Sequence, residues 1–216
     1  MTLLHATTQT SDTRRRQLLA ATLGVPLILA SRRSWAQAPR PLLRTPSQTE
    51  GPFYPVIEPK DSDGDLLHNG NLVYSRGTPC WLDGQVLDLD GRPLAGAAVE
   101  IWQCDEAGNY HHPGNRGEAA REFQGFGRVL ADAQGRYRFR TIRPSPYVGR
   151  TPHIHVKVKL GPRELLTTQL YVEGDPGNPR DMLWRSLNAE QRAALTQPFV
   201  PGPDGLRAEF VLVVAS

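Results

Sequence analysis

From Thr78 to the C-terminus the chain is cut by turn residues at short intervals, and the segments between the cuts alternate apolar and polar side chains. Leu82-Asp83-Gly84-Gln85-Val86-Leu87 runs into the turn Asp88-Leu89-Asp90-Gly91-Arg92-Pro93, and Ala98-Val99-Glu100-Ile101-Trp102-Gln103 runs into Glu106-Ala107-Gly108-Asn109. Period-two alternation turns one side of each segment to a core and the other outward, which is strand rather than helix behaviour. Further strands are expected over residues 127–131, 136–142, 153–160, 165–172 and 206–214, with Asp132-Ala133-Gln134-Gly135 as a hairpin turn. The 20 glycines and 19 prolines supply this punctuation. Short strands at such spacing, with no long amphipathic helix between them, predict an all-β, antiparallel sandwich or barrel over residues 76–216. One helical insertion is expected at about residues 179–195, where Asn188 and Gln191 have capping spacing.

Two segments of different character precede this region. Residues 39–75 carry Pro39, Pro41, Pro46, Pro52, Pro55 and Pro59 and the polar stretch Asp61-Ser62-Asp63-Gly64-Asp65, without sustained periodicity. They are expected to form an extended arm, not a domain. Before them, Thr13-Arg14-Arg15-Arg16-Gln17-Leu18-Leu19 opens an apolar run to Ala30, and Ala36-Gln37-Ala38 supplies small residues at cleavage-site spacing. The run is shorter than the roughly 20 apolar residues of a membrane span. Residues 1–38 therefore read as a signal peptide, its paired arginines pointing to twin-arginine export and a periplasmic or extracellular destination. An unstructured or wrongly assigned start is the alternative. Arg14, Arg15, Arg16, Arg32 and Arg33 lie here against one acid, Asp12, so the formal charge of +3 belongs to this segment and the rest is near neutral. Neither nucleic-acid binding nor stable membrane association follows from it. Cys80 and Cys104 could pair in an oxidising compartment, but small buried thiols on strands are expected instead.

The sharpest chemical feature is His153-Ile154-His155 at the start of an expected strand. Both imidazoles project to one side, about 6.5–7 Å apart along the backbone, where they can converge on one metal. Alone, the pair suits zinc or copper as well as iron, or is simply two histidines on a solvated face. The loop Arg143-Pro144-Ser145-Pro146-Tyr147-Val148-Gly149-Arg150-Thr151-Pro152 leads into it and carries a tyrosine to the same place, and Tyr110 follows the glycine turn after Trp102. A free phenol ionises only near pH 10, so a phenolate needs a strong local cation. Two tyrosinates with two neutral imidazoles suit ferric iron better than zinc.

Together these segments resemble the intradiol ring-cleavage dioxygenases. Val99 through Tyr110 is similar to the strand and turn that deliver that family's first tyrosine ligand, and Phe126-Gly127-Arg128 with Asp132 through Pro144 to its next hairpin. Tyr147 and Arg150-Thr151-Pro152-His153-Ile154-His155 match its second tyrosine, its active-site arginine and its histidine pair. Thr167-Thr168-Gln169-Leu170-Tyr171 with Gly174-Asp175-Pro176 resembles its glutamine strand, and Thr45 through Tyr54 the arm of protocatechuate-type members. The likeness covers roughly residues 45–178.

The resemblance implies a prealbumin- or immunoglobulin-like β-sandwich holding Fe(3+), with Tyr147 and His153 axial and Tyr110 and His155 equatorial. It implies a small aromatic diol and O2 as substrates, Tyr147 as the ligand that leaves and stores a proton, Arg150 stabilising charge on the ring, and Gln169 orienting an oxygen. Gly51, Pro52, Tyr54 and Trp102 would wall the substrate pocket, although the arm residues could only tether the arm and Trp102 could belong to the core. His111 and His112 have no ligand counterparts and are expected at the surface or pocket rim. The Tyr147–His153 stretch is short for the family, so the substrate-facing loop is trimmed. No helical linker domain or iron-free second subunit is implied, and self-association stays open. The competing expectation is an exported β-sandwich binding module with a zinc-binding or non-catalytic His-x-His.

Overall fold

Two sheets pack around one core in the computed structural model, which describes residues 42–216; the expected signal peptide, residues 1–38, lies outside the described residues. After a small hairpin of β1 (His68–Asn69) and β2 (Leu72–Val73) come β3 (Pro79–Leu87), β4 (Ala98–Trp102), β5 (Phe126–Leu130), β6 (Arg136–Ile142), β7 (His153–Leu160) and β8 (Arg163–Val172). Helices α1 (Met182–Ser186) and α2 (Ala189–Leu195) and strands β9 (Thr196–Gln197), β10 (Val200–Gly202) and β11 (Gly205–Val213) complete the chain. One sheet runs β10-β11-β3-β6 and the other β5-β4-β7-β8-β9. Pairings are antiparallel except β11 with β3 and β8 with β9. The antiparallel sandwich expected from the strand spacing is what forms, with the last strand returning parallel beside the first long one. Among the described residues no helix is long and apolar enough to cross a membrane.

The first sheet shows simple alternation. In β6, Tyr137 and Phe139 are buried while Arg136 and Arg138 face out, and in β11 Ala208, Phe210 and Leu212 point inward. The second sheet is buried on both faces along β7. Ile154, Val156 and Val158 enter the core, while His153, His155 and Lys157 are buried on the opposite face. A sheet face carrying polar side chains is buried only if something covers it, and here the cover is the arm. Gln48 N donates to Thr167 O (2.9 Å), Thr168 Oγ1 to Pro46 O (2.7 Å), Tyr171 Oη to Gln48 Oε1 (2.6 Å) and Gln169 Nε2 to Thr49 O (3.0 Å). Lys157 pairs with Glu50. Buried Glu100 accepts from Tyr54 Oη (2.8 Å), Arg128 Nε (2.9 Å) and Lys159 Nζ (3.0 Å).

Three local expectations change. Residues 42–67 carry no helix or strand, but the β1–β2 hairpin interrupts the rest of the expected arm. The helical insertion is broken: a 3-10 turn (Asn178–Arg180), α1 and α2 follow one another, because Asp181 and Asn188 each cap a new start and Leu187 between them is extended. The capping box of Asn188 and Gln191 forms. Cys80 and Cys104 are free and buried; Cys80 lies on β3, but Cys104 falls beyond the end of β4.

Candidate metal centre

Strand register sets the first part of the site. His155 lies opposite Trp102 on β4 and Gln169 on β8, and His153 lies opposite Tyr171, so these side chains share the arm-covered face. The His155 ring stacks on Trp102 at 4.8 Å and 9°. His153 Nδ1 is 2.7 Å from Thr151 O, which can only accept, so Nδ1 carries the proton and the lone pair sits on Nε2. That lone pair points at His155 Nε2, 3.1 Å away.

Two loops at the same end of the sheet bring the tyrosines. In the loop after β4, buried Asp105 accepts from Asn109 N (2.9 Å) through one oxygen and from Ala120 N (2.8 Å) through the other, and Gly108 N closes the turn onto its carbonyl (3.0 Å). This places Tyr110 in the interior, 3% exposed. In the loop before β7, Arg150 N donates to Tyr147 O (2.7 Å), closing a turn whose third residue, Gly149, has φ +74°. An L side chain is strained there, which accounts for the glycine. The four rings then meet: Tyr110 to Tyr147 5.2 Å, Tyr147 to His153 5.4 Å, His153 to His155 4.7 Å and Tyr110 to His155 6.2 Å between centroids.

Burial, helped by the Arg150 charge, pushes His153 down to about 3, and burial with His153 and Arg150 pushes His155 well below its usual value, so both imidazoles are neutral at pH 7. Burial raises Tyr110 well above the ordinary phenol range, with Cys104 and Tyr147 adding to it. Burial also raises Tyr147, against the opposing pull of Arg150. Tyr110 Oη and His155 Nδ1 are buried without a hydrogen-bond partner. An orphaned buried hydroxyl costs about 1–3 kcal/mol, and a cation at the meeting point of the rings would remove that cost for Tyr110 by taking its oxygen. Among the described residues no three His, Cys, Asp or Glu side chains gather at one point. A metal here must use phenol oxygens, so the residues fit a hard trivalent ion and not a two-histidine, one-carboxylate site.

Around the rings, Arg150 is fixed from three sides. Its Nε donates to Asp181 Oδ2 (2.7 Å), its Nη2 to Gln169 Oε1 (2.7 Å), and its Nη1 lies 3.5 Å from Tyr147 Oη. Gln169 Oε1 also lies 3.1 Å from Tyr171 Oη while its Nε2 donates to the arm, so its amide links arm and arginine. Gly51, at φ +75°, brings the arm against His155: an added Cβ would sit 3.3 Å from its Cε1. Pro52 is exposed, and Tyr54 turns its hydroxyl to Glu100 with its ring edge on Trp102 at 5.0 Å. Those two positions act as arm surface and arm tether more than as pocket wall. The arm residue that meets the tyrosines is Phe53, stacked on Tyr110 at 4.5 Å and edge-on to Tyr147 at 5.7 Å. His111 Nε2 contacts Phe123 O (2.6 Å) and His112 stands edge-on to Phe53, so neither joins the four rings. An open groove of about 870 Å³ runs along the outer side of the Tyr147 loop; Tyr147 and Arg150 line it, but His153, His155 and Tyr110 do not.

Sequence reasoning did not find Phe53, Asp105 or Asp181. Asp181 carried a visible signal, as a carboxylate before a helical stretch, but its reach to Arg150 did not show.

Residues 49–200 match the family model described as Dioxygenase. The chain is 31% identical to a hydroxyquinol 1,2-dioxygenase of Rhodococcus opacus, with 98% of this chain and 77% of that protein covered. It is 32% identical to the protocatechuate 3,4-dioxygenase beta chain of Burkholderia cepacia, over 74% of each. Among solved structures, the dioxygenase domain of a dioxygenase carbohydrate-binding protein fusion from Streptomyces sp. SirexAA-E superposes with a TM-score of 0.64 at 32% identity, over 80% of this chain and 98% of that one. These matches give no support to a non-catalytic binding module.

Proposed function

This chain belongs to the intradiol ring-cleaving dioxygenases, oxidoreductases of aromatic catabolism, and on that premise we propose that Tyr110, Tyr147, His153 and His155 hold a ferric ion and that the enzyme opens a catechol-type ring between its two hydroxyl-bearing carbons, giving a cis,cis-muconate-type diacid that contains both atoms of O2. The observation that carries this is the convergence of two phenols and two neutral imidazoles, with Tyr110 Oη left without a protein partner. A ferric ion held there acts as a Lewis acid and template on the bound diol. The rest falls to the chain. Tyr147 sits on an irregular turn, unlike the strand-held histidines, and its Oη can take a proton from an incoming diol. Arg150, 3.5 Å from that oxygen, supplies a fixed positive charge where the deprotonated diol and ring develop negative charge. Gln169 and Asp181 hold the guanidinium in place. Trp102 and Gly51 pack against His155 from the sheet and from the arm, and Phe53 covers Tyr110, which keeps water from the reacting face.

Colour tests the ligand set. Ferric loading should give a broad visible charge-transfer band from the two tyrosinates, and Tyr110→Phe should remove most of it. A colourless protein with stoichiometric iron, or full colour in Tyr110→Phe, would refute the assignment. We also propose that residues 1–38 direct export through the twin-arginine route. Changing Arg14 and Arg15 together to lysine should leave precursor in the cytoplasm by fractionation; undiminished export of that variant would count against this route.

A further inference from the structure

The groove beside the Tyr147 loop is far larger than one aromatic ring requires; sites of about 300–1,000 Å³ hold drug-sized ligands. Its position ties it to the reaction, because Tyr147 and Arg150 line it and also border the proposed iron site. Its walls pair apolar surface at Ala107, Pro146 and exposed Val148 with two further arginines, Arg143 and Arg180. Charge there is unevenly matched. Arg150 is paired with buried Asp181 and Arg143 with Asp175 at 3.3 Å, whereas exposed Arg180 has no ion-pair partner among the described residues. The groove therefore keeps one uncompensated positive charge beside an apolar wall.

We propose that this groove receives the substituent of the diol, and that the preferred substrate is a catechol bearing an extended side chain that ends in an anion. The ring lies at Tyr147, the chain runs along Pro146 and Ala107, and the anion meets Arg180 and Arg143. This rests on the ring-cleavage assignment above and names its substrate class.

Three substrates test it on iron-loaded enzyme: catechol, catechol with a carboxyethyl tail, and the same tail as a neutral primary amide. By kcat/KM the carboxylate should exceed the amide about fivefold, the order that an exposed guanidinium–carboxylate pair supports. Arg180→Glu should erase or invert that ratio while catechol itself changes by less than about twofold. Ala107→Trp, which narrows the groove without altering charge, should slow both tailed substrates and spare catechol. Calorimetric binding of the corresponding tailed monophenol and its amide to metal-free protein repeats the comparison without turnover. Equal handling of carboxylate and amide by the wild type, or a ratio unmoved by Arg180→Glu, overturns the proposal. Catechol left uncleaved overturns instead the iron-dependent ring-cleavage assignment, and the metal-free binding comparison then decides the groove alone.

Discussion

Exchange of His155 for alanine should leave a folded chain that no longer retains iron, its content falling to background after gel filtration in chelator-containing buffer. His155 is central to the site: its Nε2 faces that of His153 at 3.1 Å, its ring lies flat on Trp102, and Gly51 closes over its edge. Loss of a mere supporting partner of a metal ligand costs about 10–100-fold in affinity, and removing the donor atom exceeds that. The fold should survive, because the core face of β7 (Ile154, Val156 and Val158) is untouched. The hole beside Trp102 should lower stability by on the order of 2 kcal/mol, read as a shift in chemical denaturation midpoint. His155→Gln refills part of that volume, so it should recover stability without recovering iron. Stoichiometric ferric iron in either variant would remove His155 from the ligand set.

How far the site could be read before the structure depends on the residue. The histidine pair was legible from strand period alone, because residues two apart on a strand share a face. Tyr147 was placed by the proline-punctuated loop that ends at His153. Tyr110 stood out as a candidate after its glycine turn, but its delivery to the same site rested on the family resemblance, since its burial depends on Asp105 binding the amides of Asn109 and Ala120, a contact that no periodicity encodes. Phe53, and the carbonyl of Thr49 that receives Gln169, were hidden because the arm has no repeat to read and docks on side chains distant in the sequence.

The fold shows the same division. Alternation located β6, β7 and β11 to within a residue or so of their ends. It said nothing about the direction of a strand's neighbour, so the parallel pairing of β11 with β3 did not follow from it. Nor did alternation reveal that Lys157 is buried. Read along β7, the lysine looks like a solvated position, but its side chain is buried and its ammonium pairs with the half-exposed carboxylates of Glu50 on the arm and Glu164 on β8. The split helical insertion had a local cause that was present in the chain: Asp181 and Asn188 are both strong capping residues, and each, itself extended, starts a new helix.

Asp181 is where stability and chemistry meet, and its removal should be felt in both. One oxygen accepts from Arg150 Nε (2.7 Å) and Thr151 N (2.9 Å), and the other caps α1 through Trp184 N (2.9 Å). Thr151 O in turn fixes the His153 tautomer, so a single buried carboxylate orders the arginine, a histidine of the proposed ligand set and a helix start. Asp181→Ala strands a mostly buried guanidinium, and breaking such a pair costs about 3–5 kcal/mol; Asp181→Asn, which keeps the shape, should lie at the lower end. With Arg150 free to drift, kcat/KM for catechol should fall about 100-fold in Asp181→Asn, while bound iron stays near stoichiometric because all four proposed ligands remain. The pH dependence separates this from general damage. Burial, the largest influence, pushes the Asp181 carboxyl upward, but the bonds from Trp184 and Thr151 amides and from Arg150 outweigh it and leave it below the ordinary carboxylate value. Its folded pKa is thus depressed, so its stabilisation is present above about pH 3.9, the unfolded value, and is lost as pH falls through the folded one. The difference in denaturation midpoint between wild type and Asp181→Asn should be constant near neutrality and shrink in acid below about pH 4. A gap that stayed constant through that range, or wild-type turnover in Asp181→Asn, would mean that Arg150 is held by Gln169 alone.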